Sequence, residues 1–171
     1  MSKIAGMKKI LVFLLIQICI VSSVTGYNRP EFDYDHLRKM LFSLNEDSHL
    51  AYDFFQKIDE IENPAPLTIA YKGTILAHMA KSSTSFFDQI KYLSKSLNLL
   101  DQAVSFAPEN PEIRFLRFAV QVQLPSIVRS ATKIKADRKF LENNYHRIAW
   151  KSYPSDEAQY IRDFLSQYNI Q

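Results

Sequence analysis

Arg114, Arg117 and Gln121 recur at spacings of three and four within Pro111–Leu124. At the helical repeat, that spacing sets two guanidiniums and an amide on one strip of one helix. A guanidinium keeps its charge in proteins, carries five N–H donors and meets a carboxylate or phosphate at two points. The strip's chemistry is therefore anion recognition, directed at a ligand or at an acidic stretch of a protein partner. The same donors can also be satisfied within the chain, by Asp101, Asp137, Glu142 or Asp88, or can lie along a solvated strip.

The other titratable residues point to no reaction. The histidines are His36, His49, His78 and His146, with no two at helical metal-ligand spacing and no H-E-x-x-H. A metallohydrolase is not indicated. Asp33-x-Asp35-His36 reads as charges favoured at a helix start rather than as a metal site. No G-x-S-x-G elbow occurs. With only Gly6, Gly26 and Gly73, the chain has no glycine-rich phosphate loop or dinucleotide fingerprint. No catalytic residue, metal or cofactor is expected, and the chain is not expected to be an enzyme.

The arginine strip needs a helix to carry it, and that helix needs a neighbour. Phe86, Ile90, Leu93, Leu97, Leu100, Val104 and Ala107 step by four and three, one stripe of a long helix opened by Ser85 and Asp88. Pro108 and Pro111 bracket the turn that follows. The first helix is expected to stop near Ala107 and the second to start at Pro111 with Asn110 as its cap. Ile113, Phe115, Leu116, Phe118, Ala119, Val120 and Val122 leave only the arginine strip polar, so this second helix is expected to be buried.

Within that pair, Ser96, Leu100, Ala103 and Pro108 carry a small residue, a large apolar residue, alanine and proline at offsets of four, three and five. This resembles the second helix of a tetratricopeptide repeat. Arg117-Phe118 stands where the next unit would carry Leu-Gly, and Gly73 lies too far upstream for a repeat of about 34 residues. The resemblance therefore covers one degenerate unit. It implies stacked antiparallel helix pairs and a groove that binds protein. The string E-I-R-F-L-R with Gln121 and Pro125 is also similar to exported helical proteins of bacteria.

At the N-terminus, Lys3, Lys8 and Lys9 precede the uncharged apolar run Ile10–Val21, and Val24-Thr25-Gly26 offers small residues for cleavage. Residues 1–26 read as a signal peptide, with an uncleaved membrane anchor as the alternative. The destination is then the bacterial periplasm or the medium. The three lysines account for the formal net charge of +3, so Tyr27 onward is neutral. The single cysteine, Cys19, lies in the signal. This removes thiol chemistry from the remainder and any charge argument for nucleic acid.

Tyr27–Gln171 is expected to be one all-α domain of about six to seven helices, as a short tetratricopeptide-like array or an irregular bundle. Helices are expected over Glu31–Leu44, from Asp47 or Ser48 to about Ile61, over Leu67–Lys81, from Ser126 to about Tyr145 with Ile127 inward, and after Pro154-Ser155. Ala70, Gly73, Ala77 and Ala80 form a small-residue stripe suited to close helix packing. Residues 29–64 carry a net −5 and residues 111–152 a net +6. The basic segment is expected to be a solvated face neutralised by the acidic helices, with contact to an anionic membrane surface or an acidic partner as the lesser options. Trp150 and Tyr153 are expected to cover the core. The function these features imply is that of a non-enzymatic interaction or scaffold module. The alternative is a small-anion binding or enzymatic protein with Arg114 and Arg117 in an interior pocket; His78 or Lys91 beside them would favour it.

Overall fold

Two prolines and three polar caps set where the principal helices begin. Pro66 and Pro111 each occupy a first helical turn, where a missing N–H costs nothing. Asn110 Oδ1 accepts the N–H groups of Glu112 and Ile113 at 2.9 and 3.2 Å. Ser85 Oγ accepts from Asp88 N–H at 3.3 Å, and Ser130 Oγ from Lys133 N–H at 3.4 Å. The computed structural model describes residues 33–171. The signal-peptide reading of residues 1–26 and a helix start at Glu31 lie outside the described residues.

The chain order is α1 Tyr34–Glu46, α2 Ala51–Asp59, α3 Pro66–Ser82, α4 Phe86–Phe106, α5 Pro111–Gln123, α6 Ala131–Asn144 and α7 Ser155–Ser166. Single 3-10 turns occupy Ser48–Leu50, Tyr145–Arg147 and Trp150–Ser152. The described residues contain no strand, and the fold is all-α. None of their helices is long and apolar enough to cross a membrane.

Helices α3 and α4 form the most extensive contact of the fold. A Cβ added at Gly73 would lie 3.0 Å from Leu100 Cγ and 3.1 Å from the Ser96 carbonyl oxygen. Only a residue without a side chain lets the two backbones come this close. With a three-residue connection, Ser83–Ser85, the pair is antiparallel. Helix α5 then packs on α3 and α4 and against α6. It is buried on most sides, through Ile113, Phe115, Leu116, Phe118 and Val120. Phe118 stacks edge-on with Tyr168 at 5.1 Å and Phe164 at 6.4 Å, which joins α7 and the residues after it to α5.

Three expectations need correction. The second helix begins at Ala51 after a 3-10 turn and ends at Asp59, short of Ile61. The basic helix starts at Ala131, not Ser126. Val128 and Arg129 donate back to the Pro125 carbonyl in a turn, and Gln121 Oε1 takes the Ser130 N–H at 2.8 Å, so the helix can open only beyond Ser130. Ile127 lies in that turn and is 93% exposed rather than inward. The long stripe of α4 is buried only at its C-terminal half, at Leu100, Ala103 and Val104. Phe86 and Ile90, at the other end, are 68% and 49% exposed.

Candidate functional site

The arginine strip lands on carboxylates of its own chain. Arg117 Nε and Nη2 donate to the two oxygens of Asp137, both at 2.7 Å, and Nη1 donates to Asp101 Oδ1 at 3.0 Å. Arg114 Nη1 reaches Asp137 Oδ1 at 2.8 Å, and its Nε reaches the Pro108 carbonyl at 2.9 Å. Lys133 joins on Asp101 Oδ2. Asp137 is fully buried. Burial disfavours the Arg117 charge, but the hydrogen bonds and charges of Asp137 and Asp101 more than offset it and raise its pKa. Gln121, also buried, spends its carbonyl on Ser130. The three sequence-selected residues are thus brought together as a clamp holding α4, α5, α6 and the preceding turn.

A second buried polar group lies on another face of α5, around Glu112. Arg38 on α1 grips that carboxylate at two points, Nε to Oε1 at 2.9 Å and Nη2 to Oε2 at 2.7 Å. Tyr71 on α3 and Tyr153 donate their hydroxyls to Oε1, the latter at 2.8 Å. Arg38 Nη1 reaches Asp35 at 2.6 Å, and the guanidinium lies 5.0 Å from the Tyr153 ring centroid. Burial opposes the Arg38 charge, yet Glu112 holds its pKa above the ordinary arginine value. Burial, with Glu112 nearby, raises both phenols well above the usual tyrosine range. The Asp35 contact gives that residue an ion-pair role; among the described residues no group of three metal-ligating side chains stands together.

Arg38, Tyr71 and Tyr153 border a cavity of about 620 Å³. Its walls come from the C-terminal part of α3, the N-terminal part of α4, and α1, α5 and α7. Phe42, Ile90, Leu93, Phe115, Ile161 and Phe164 give it an apolar lining. This accounts for the split stripe of α4. Helical periodicity marks one apolar face, but cannot tell core from cavity wall. His78 and Glu157 also line it, and neither His78 Nδ1 nor Glu157 Oε2 has a hydrogen-bond partner. Burial, with Lys81 nearby, pushes His78 down to about 4, so its imidazole is neutral at pH 7. Burial raises Glu157, against the pull of Lys39.

Three hydroxyls at this cavity are committed. Tyr71 and Tyr153 donate to Glu112, and Thr74 Oγ1 donates to the Ala70 carbonyl at 3.0 Å. Sequence reasoning did not single out Arg38, Tyr71 or Glu112. Glu112 follows a helix cap, where a glutamate is ordinary, and its partners are remote in sequence. No family model, curated protein or solved structure matches the chain.

Proposed function

We propose that this chain is an exported, non-enzymatic binding protein whose binding element is the cavity walled by α1, α3, α4, α5 and α7, and that the occupant is an apolar group. One observation carries the reading: a cavity of small-ligand size, apolar in lining, with a few polar groups at its wall. Export is supported by the basic start and apolar run of residues 1–26. The arginine strip is not the leading contact, because its donors are already engaged.

A second reading keeps the interaction-module expectation and makes the partner a protein. It is favoured by Phe86 at the cavity and its neighbour Phe87, both largely exposed on the first turn of α4. Exposed aromatics of this kind anchor protein interfaces.

The test uses Tyr27–Gln171 with the neutral fluorophore Nile red, and Ala119→Trp, which places an indole in the cavity. Saturable one-to-one binding by the parent, lost in a variant of unchanged helicity, supports the reading. Absence of binding by the parent, or equal binding by the folded variant, overturns it. Crosslinking in envelope extracts through a photoreactive residue at Phe87 tests the protein-partner reading. That reading fails if no specific adduct forms.

A further inference from the structure

The cavity reading leaves the chemistry of the occupant open, and Glu157 narrows it. This residue sits in the first turn of α7 and is only 8% exposed. It lines the cavity, and its Oε2 is buried without a hydrogen-bond partner. A buried carboxylate oxygen left unpaired is costly, and natural folds satisfy nearly all such atoms. The contrast with the other buried carboxylates is direct. Glu112 accepts from Arg38, Tyr71 and Tyr153, and Asp137 accepts from Arg114 and Arg117.

The charges at the cavity wall are Arg38, Lys81 and Glu157. Arg38 is neutralised by Glu112 and Asp35. Lys81 is exposed. An anionic head group would therefore find no unengaged buried cation here, whereas a donor head would find a buried acceptor. The carboxylate turns about a soft terminal torsion, so either oxygen can be presented to the cavity at small cost. His78, neutral in its buried setting, adds a ring nitrogen without a partner to the same wall.

Resting on the cavity reading above, we infer that the occupant is a small amphiphilic amine, its apolar body against Phe115, Ile161 and Phe164 and its ammonium group on the Glu157 carboxylate. The ammonium supplies the donors that Oε2 lacks, in a setting where a charge-assisted hydrogen bond is strong. An apolar body of about ten carbons fits within the cavity volume.

Displacement of Nile red from Tyr27–Gln171 by decylamine, decanol and decanoate, each below its micellar concentration, tests this. The three probes share a chain and differ in the head. Decylamine is expected to displace at a concentration about tenfold lower than decanol, with decanoate weakest. Glu157→Gln is expected to bring decylamine level with decanol, the two compared within the variant at its own Nile red affinity. Decanoate displacing as well as decylamine, or an amine preference that survives Glu157→Gln, overturns the inference and leaves the cavity reading standing. Failure of Nile red itself to bind removes both. Should Glu157→Gln fold poorly, Glu157→Asp serves as the second variant: the shorter side chain is expected to weaken decylamine but not decanol, and an unchanged ratio counts against the inference.

Discussion

Helix α5 carries two buried polar knots, and they differ in how they are built. The Glu112 knot has one buried carboxylate, one guanidinium that grips it at two points and also reaches the exposed Asp35, and two neutral phenols. It ties together α1, α3, α5 and the segment before α7, with partners 41 and 74 residues apart. The Asp137 knot has two carboxylates under three cations and joins α4, α5 and α6 across 16 to 32 residues. The first has no spare partner for its carboxylate and borders the cavity. The second has a surplus of positive charge and is more local. A buried ion pair adds little net stability, yet removal of one partner is costly, because the other is left uncompensated. The two knots should therefore fail differently.

The largest effect is expected at Glu112. Glu112→Ala strands two tyrosine hydroxyls and leaves the buried Arg38 guanidinium only the solvent-exposed Asp35, around a site only 4% exposed. A loss of about 5 kcal/mol is expected in urea unfolding, at the top of the range for breaking a buried pair. Joint replacement by Arg38→Met and Glu112→Leu should recover about 2 kcal/mol of that loss, since no charge is then left unpaired. If the double variant is no more stable than Glu112→Ala, the desolvation account of this knot is wrong.

Asp137→Ala is expected to cost less, about 3 kcal/mol. Arg117 keeps Asp101, and Arg114 keeps the Pro108 carbonyl. The ranking sharpens the comparison more than either value. A larger loss for Asp137→Ala than for Glu112→Ala would mean that the second carboxylate does not compensate.

The sequence made one knot visible and hid the other, and the reason is distance along the chain. Arg114 and Arg117 share a strip by helical spacing, and Asp101 and Asp137 stand on the adjoining helices, so that pairing could be named among a few. The caps at Ser85 and Asn110 and the breaks at Pro108 and Pro111 are local too, and appear where the residues place them. Arg38 and Glu112 are joined only by tertiary folding, and no periodicity links them. The start of α6 was misplaced for the same reason. Ser126 and Ser130 are both chemically sound caps, and the choice falls to Ser130 through a hydrogen bond from its N–H to the side chain of Gln121, on another helix. The cavity was hidden because an apolar stripe looks alike whether it faces a core or a pocket.

Acid separates the two sides by a third route, since His78 lies at the cavity and the Asp137 knot is built, among the described residues, from Arg114, Arg117, Lys133 and Asp101. Folded His78 titrates at about 4, against 6.5 for the free side chain. The unfolded chain therefore takes up a proton that the folded chain resists. The stability this gives is fully present above pH 6.5 and is lost as pH falls through 6.5 towards 4. The loss amounts to about 3 kcal/mol by pH 4. His78→Gln should remove that slope between pH 6.5 and 4, measured as the difference in unfolding free energy between the parent and the variant at each pH. An unchanged slope would show that His78 takes its proton as readily folded as unfolded.

The smallest effect is expected at Lys133, and it tests the idea of surplus charge. Lys133 donates to Asp101, and both side chains are partly exposed. Water and salt therefore screen the pair, and Asp101 retains Arg117 when the lysine is lost. Lys133→Met keeps the aliphatic stem and removes the charge. A change below about 1 kcal/mol is expected, smaller still in high salt. The matching change on the other knot, Arg38→Met, removes the only guanidinium that Glu112 holds and leaves a buried carboxylate with phenol donors alone. That variant should lose several times as much as Lys133→Met. Equal losses would mean that the two knots tolerate the removal of a cation alike, and that the contrast drawn from their geometry has no energetic counterpart.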